Sequence, residues 1–313
     1  MQPKQMLISY FTCFTQTIGA IAAALLFFCS SVTHAQSSPP PKSGYADLLK
    51  STAASDWRAL DEANTLYLEL PKGRVVIELS EGFAPKHAAN IKALVREKYF
   101  DGLAIIRVQE NYVVQWGDAT DKKQIKTAAT KLDPEFSAPI SEKTAFARLP
   151  DLDGYAKEVG FAQGFHAGRD PVAKTTWLAH CYASVGVGRG TEIDSGSGSQ
   201  LYVVIGHAPR HLDRNIALIG RVVQGMSLLT VLPRGTGALG FYEKETERTP
   251  IKSVRIAADL PVAERTKLEI IRTDTPMFSA LVEALRNRGG DWFKVPAGHV
   301  ELCNVPIAVR EVK

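Results

Sequence analysis

Beyond residue 64 the chain alternates apolar and polar positions in short runs. Leu66-Tyr-Leu-Glu-Leu70 and Val75-Val-Ile-Glu-Leu79 each put every second residue on one face, and Pro71-Lys-Gly73 supplies a turn between them. The two runs predict a β-hairpin. After Pro85, which suits the first turn of a helix, Ala88, Ile91, Leu94 and Val95 recur at helical spacing as far as Lys98. Further strand-like runs lie at 103–108, 112–116, 201–205, 216–219 and 251–256, with a short helical segment at 226–232. From Gly117 to about Thr175 the chain is long, polar and without regular period, and reads as an irregular insertion. Residues 45–63 predict one or two short helices, and beyond Pro261 a helix over 276–288 precedes a strand-like tail at 300–312. Many short strands, few helices and glycine-rich turns predict a mainly β fold, a closed barrel or sandwich, in preference to a parallel α/β sheet.

The first 35 residues differ from the rest. They hold one lysine, no acid and the apolar run 18–28, followed by Thr33-His34-Ala35, a small-x-small cleavage site. This is the pattern of a secretory signal cut after Ala35, and the apolar run is too short for a membrane span. Residues 36–45 form a polar Pro/Ser lead-in. Removal of the leader takes Cys13 and Cys29 with it, leaving Cys181 and Cys303. In an oxidising compartment this pair predicts a disulfide, with two buried free thiols as the alternative, and no C-x-x-C metal spacing occurs.

Composition narrows the rest. A chain of 313 residues, 45% hydrophobic and 22% charged, is ordinary globular sequence with enough length for a large core. A net charge of +4 over that length is too weak to point to nucleic acid. Pro209 between His207 and His211 favours a loop over a helical metal site. The segment 186–190 is too short for a dinucleotide fingerprint, and the Ser/Gly run 195–199 lacks the order of a nucleophile elbow.

Five motifs, taken in order, carry a family resemblance. Ala84-Pro85-Lys-His-Ala-Ala-Asn90-Ile91 opens the predicted helix, and Phe100-Asp-Gly-Leu-Ala-Ile-Ile-Arg107-Val-Gln-Glu-Asn-Tyr112-Val113-Val-Gln115-Trp-Gly-Asp118 spans two strands. Gly186-Val-Gly-Arg-Gly190 and Ser199-Gln-Leu-Tyr-Val-Val204 follow, then Leu212-Asp213 with Gly220-Arg-Val-Val-Gln-Gly-Met226. In this order they resemble the cyclophilins, the peptidyl-prolyl cis-trans isomerases, over about residues 66–256. The resemblance implies a closed antiparallel eight-stranded barrel with capping helices. It would occupy 65–260, interrupted by the insertion near 119–175, after short helices in 36–64 and before a C-terminal extension, 261–313, packed on the barrel.

It further implies isomerisation of X-Pro bonds in proline-containing protein segments, cofactor-free, and the leader pattern adds the expectation of an exported protein of the bacterial periplasm. By motif position Arg107 is the catalytic arginine and Gln115 its polar neighbour. Tyr112, Val113, Tyr202 and Leu212 would line the proline pocket, and Gly188, Arg189 and Gln200 the peptide groove. Several residues depart from the pattern. Ile106 stands where His is usual, Ile216 where many members carry a pocket His, Trp116 for the first of two glycines, and His211 where some have Trp.

An arginine suits this chemistry because the peptide bond's rotation barrier of ~18–20 kcal/mol falls when amide resonance weakens, and no nucleophile is required. A guanidinium keeps its charge and offers fixed N–H donors to the pyramidal nitrogen of the twisted amide. Apolar walls hold the prolyl ring while the acyl side rotates. Two other readings of the same scaffold are a binding module that holds extended peptides with little catalysis, and a structural domain of the cell envelope.

Overall fold

The computed structural model describes residues 44–289 and 292–312. The expected leader, its cleavage point and most of the Pro/Ser lead-in lie outside the described residues. The centre of the fold is a curled antiparallel sheet of nine strands. Their spatial order is Thr249–Pro250, Ala104–Val108, Val113–Gly117, Leu201–Val204, Ser184–Val187, Leu218–Gln224, Gly73–Leu79, Thr65–Leu70 and Ser253–Ile256. Nine strands in an open order replace the eight of a closed barrel expected above. The reason lies in the last run: Thr249–Pro250 pairs with one edge and Ser253–Ile256 with the other, while Ile251 and Lys252 between them donate to the carbonyls of Leu103 and Glu69.

Inside the curl, Leu66, Leu68, Val75, Ile77, Ile105, Val114, Trp116, Val185 and Val203 form the main core. The helix Pro85–Arg96 closes one end by burying Ala88, Ile91, Leu94 and Val95 against it. Its first turn has no side-chain cap of its own. Instead the carboxylate of Glu135 accepts the backbone N–H of Lys86 at 3.0 Å and of His87 at 2.9 Å, satisfying orphan donors at the positive end of the helix. Asn90 fastens the same segment, accepting from Ala129 N–H at 2.7 Å and donating to the carbonyls of Ala129 and Ser197.

The segment expected to be irregular contains a second antiparallel sheet. Its five strands run in the order Ala138–Pro139, Thr175–Leu178, Phe165–Asp170, Glu158–Ala162 and Phe146–Leu149. Alternation fails there because the sheet is covered on both sides: Val159, Gly160, Phe161 and Ala162 are consecutive and all buried. One of its faces meets the helix Pro276–Arg286, where Phe278, Leu281, Val282 and Leu285 pack with Leu149, Val159 and Phe161 into a second core. That helix begins with Thr275 accepting the Phe278 N–H at 3.2 Å and Pro276 in its first turn.

Within 45–63 the expected short helices are Tyr45–Lys50 and single 3-10 turns at Ala54–Asp56 and Glu62–Asn64, and Trp57–Ala59 between the turns is a strand. Two other expectations change. The run predicted from 216 begins as a strand at Leu218. The tail is strand only over Val309–Glu311, with a single helical turn at Leu302–Asn304. Trp57–Ala59, Leu268–Ile271 and Val309–Glu311 form a three-stranded sheet that covers the outward-facing Tyr67 and Val76 of the main sheet. Both faces of the hairpin 65–79 are therefore buried.

A disulfide joins Cys181 to Cys303, with Cα atoms 5.0 Å apart and 122 residues of sequence separation. Beside it the His166 ring nitrogen Nε2 lies 2.8 Å from the Val305 carbonyl, tying the tail to the second sheet. Burial, with the positive Arg221 and Arg210 nearby, lowers the His166 pKa to about 4.

Two outcomes follow from these ties. Replacing both cysteines by serine removes a constraint on a long loop and should lower unfolding stability by roughly 4–5 kcal/mol in the chain-entropy model, as measured by urea titration. For His166 the unfolded imidazole takes its proton near the ordinary value and the folded one only at about 4. Between those values the unfolded state binds more protons, so stability falls as pH is lowered through this window. The loss should total roughly 3 kcal/mol. His166→Gln should remove this part of the pH dependence when unfolding is compared with wild type across pH 7 to 4.

Candidate active site

Three adjacent strands build the site. Ala104–Val108 pairs with Val113–Gly117 through a register shift between Ile105 and Arg107, and Val113–Gly117 pairs in turn with Leu201–Val204, setting Gln115 opposite Tyr202. The shift places Arg107 directly across from Gln115. Their side chains meet at 3.2 Å, the Arg107 Nη1 donating to Gln115 Oε1. Gln115 then donates from Nε2 to Gln200 Oε1 at 2.7 Å, and Gln200 donates from its own Nε2 to Asp121 Oδ1 at 3.0 Å. Each amide oxygen in this row is an acceptor and each amide nitrogen a donor, so the row has one direction and the amides cannot flip without losing bonds.

Arg107 is half-buried, and its hydrogen-bond partners among the described residues are all neutral oxygens. Nε donates to the Leu239 carbonyl at 2.7 Å, Nη1 to Gln115 and Nη2 to Gln109 Oε1. The guanidinium lies 5.2 Å from the centroid of the Phe241 ring and 5.5 Å from that of Tyr112. Burial lowers its pKa from the ordinary value, with Tyr112 acting in the opposite sense. A guanidinium has five N–H donors, and three are engaged by the described residues, which leaves two for a ligand.

These side chains open onto a cleft of about 490 Å³. Arg107, Tyr112, Val113, Gln115, Gly188, Arg189, Gln200, Tyr202 and Leu212 all line it, so every binding and catalytic residue expected from the motifs is brought to one place. Tyr112, Val113, Tyr202, Leu212 and Ile216 form its apolar side. Gly188 is held by its N–H to the Gln200 carbonyl at 2.8 Å, and a β-carbon there would come within 3.4 Å of Gln115 Nε2. Arg189 is turned along the rim, donating to the carbonyls of Asn215 and Gly190. A cleft of this size, mainly apolar on one side and with a few fixed polar groups on the other, suits a short peptide segment.

Gly190 and Ser199, which belong to the quoted motifs without an assigned role, also line the cleft, and so do Phe241, Asp121 and Ser195, which the motifs do not include. Phe241 arrives on a glycine-rich loop whose Gly235 N–H donates to the Val108 carbonyl and whose Tyr242 N–H donates to that of Ile106. Nothing in its local sequence marks that pairing. The motif match could have flagged Asp121, which stands three residues beyond its end.

The profile of the family described as "Cyclophilin type peptidyl-prolyl cis-trans isomerase/CLD" matches residues 65–258. A Brucella suis protein named "Probable peptidyl-prolyl cis-trans isomerase" is 29% identical over 180 residues, 58% of this chain and 76% of its own. The "Peptidyl-prolyl cis-trans isomerase-like 1" of Gibberella zeae is 25% identical over 203 residues, 65% of this chain and 98% of its own. Among solved structures, cyclophilin AquaCyp293 from Hirschia baltica superposes with a TM-score of 0.65 at 25% identity, covering 82% of this chain and 94% of its own. That structural match extends beyond the nine-stranded sheet, and with the profile spanning all nine strands of the sheet that builds the cleft, the chain belongs to the cyclophilin-type peptidyl-prolyl cis-trans isomerases.

Proposed function

We propose that this isomerase speeds X-Pro rotation in exported, proline-containing protein segments, with Arg107 donating to the twisted amide and the apolar side of the cleft holding the prolyl ring. The observation that carries the reading is the state of Arg107: half-buried, paired with neutral oxygens alone and left with two spare N–H donors at the cleft. A carboxylate partner would hold the guanidinium in a ground-state ion pair. Neutral oxygens orient it and leave its charge for the amide nitrogen, whose lone pair becomes available only when the bond is twisted. Binding is then stronger in the transition state than in the ground state.

Gln115 fixes the fork from behind and is itself fixed by Gln200, which makes it an orienting group. Tyr112, Val113, Tyr202 and Leu212 are assigned to the prolyl ring, and Gly188, Arg189 and Gln200 to the flanking peptide. The reaction needs no cofactor in this scheme. Export is supported by the leader pattern of residues 1–35 and fits the Cys181–Cys303 bridge.

The test is NMR exchange on an X-Pro peptide with binding followed separately. Arg107→Ala should lower turnover by roughly 10²-fold, as expected for a donor worth ~3 kcal/mol, with a smaller change in peptide affinity. Arg107→Lys should restore only part of the rate, because an ammonium lacks the planar fork. Unchanged turnover in Arg107→Ala would remove the residue from the mechanism, and wild-type protein that binds without accelerating exchange would favour the binding-module reading.

A further inference from the structure

A row of buried polar side chains runs from the wall of the cleft into the second sheet's segment of the chain. Tyr202 is 5% exposed and His180 fully buried, and the Tyr202 hydroxyl lies 2.9 Å from His180 Nε2. On the other side of the imidazole, Nδ1 is 2.8 Å from Asp213 Oδ1, which also accepts the His180 backbone N–H at 2.9 Å. Asp213 Oδ2 accepts from Arg210 Nε at 2.6 Å. Arg210 then reaches both carboxylate oxygens of Asp153 at 2.9 and 3.1 Å.

The chemistry of the partners sets the direction of the row. A carboxylate only accepts, so His180 Nδ1 carries the proton and Nε2 presents its lone pair to the Tyr202 O–H. Burial favours the neutral forms this requires, lowering the His180 pKa and raising that of Tyr202. Burial works against the Asp213 carboxylate, but the hydrogen bond from His180 and the Arg210 charge prevail and hold it below its ordinary value.

The Tyr202 ring is held from below as well. It lies across Gly186 on the neighbouring strand, where a β-carbon would come within 2.3 Å of Cζ and of the hydroxyl. The ring therefore passes over the strand with its hydroxyl directed to His180, and its edge forms part of the cleft.

We propose that His180 is a positioning residue for the proline pocket, acting through the Tyr202 hydroxyl, and that Asp213, Arg210 and Asp153 hold the imidazole in the orientation this needs. The proposal rests on the reading of Tyr202 as a wall of that pocket. An unanchored ring at this position rotates about its side-chain bonds and loses the surface on which a prolyl ring seats. Ground and transition states both use that surface, so the effect of the anchor falls on KM and peptide affinity, whereas that of Arg107 falls on kcat.

The experiment is a double-mutant cycle on the mature protein, reading peptide affinity by NMR titration and kcat and KM by exchange. Tyr202→Phe keeps the ring and removes the anchor, and should weaken peptide binding by roughly 3- to 10-fold with kcat little changed. His180→Phe should do the same, and the double variant should be no weaker than Tyr202→Phe alone. Additive losses, or a Tyr202→Phe variant with wild-type affinity, would overturn the positioning role. Where His180→Phe does not fold, Asp153→Asn replaces it in the cycle and should likewise lose its effect in the Tyr202→Phe background. Tyr202→Ala separates the two levels: full affinity in that variant would refute the pocket assignment itself, and a loss there without one in Tyr202→Phe would refute only the anchor.

Discussion

A positive guanidinium held half-buried without a carboxylate is the constraint around which this structure is arranged. Removing charge from water is costly, and the usual remedy is an opposite charge. Arg107 is supported by three oxygen dipoles and two aromatic faces. They come from three places: Gln115 on the next strand, Gln109 and Tyr112 in the connection between the two strands, and Leu239 and Phe241 on a loop some 130 residues later. The register shift that sets Arg107 against Gln115, and the loop's bonds to Ile106 and Val108, are conditions for that support. The amide row through Gln200 to Asp121 extends it outward and places the one carboxylate of the row at its far end, where it orients the amides without neutralising the arginine.

Two cores with different dependencies surround this centre. The main sheet curls around its own apolar interior, while the second sheet, the helix Pro276–Arg286 and the tail share another. Charged and polar links connect the segments: Glu135 at the start of the first helix, Asp153 on Arg210, and the disulfide between Cys181 and the tail. Apolar burial supplies bulk stability, and these directional contacts decide where the added segments sit.

Most strands of the main sheet, though not Ser184–Val187 or the open order of nine, and most residues that line the cleft were legible in the sequence, because the family's motifs put each residue at a fixed place on strands that alternate or carry short apolar runs. Arg107, Gln115 and Tyr202 are examples: none is remarkable alone, and the motif order gives each its neighbours. The second sheet was not legible. Its strands are four to six residues long apart from a two-residue edge, and residues 159–162 are buried on both faces, which erases the period of two. Phe241 and His180 were missed for another reason. Their roles depend on pairing with residues distant in sequence, and no local pattern encodes that a loop phenylalanine stacks on Arg107 or that an isolated histidine receives a tyrosine hydroxyl.

The departures from the family pattern fall in different places in the structure, and this decides how much each bears on the chemistry. Trp116 points into the main core at 1% exposure, and Ile106 is buried without lining the cleft. His211 sits on the short turn Arg210–Leu212, outside the cleft lining. Only Ile216 faces the cleft, on its apolar side with Val113, Tyr202 and Leu212. An aliphatic group in place of a pocket imidazole there keeps that side of the cleft apolar, as the proposed seat for a prolyl ring requires, and leaves the described lining without a histidine, the side chain that ordinarily changes charge between pH 5 and 8. A reaction that moves no proton loses nothing by this. The same change removes a polar group that would hold water on the side of the cleft proposed to seat the ring, so Ile216 is compatible with the electrostatically assisted rotation proposed above.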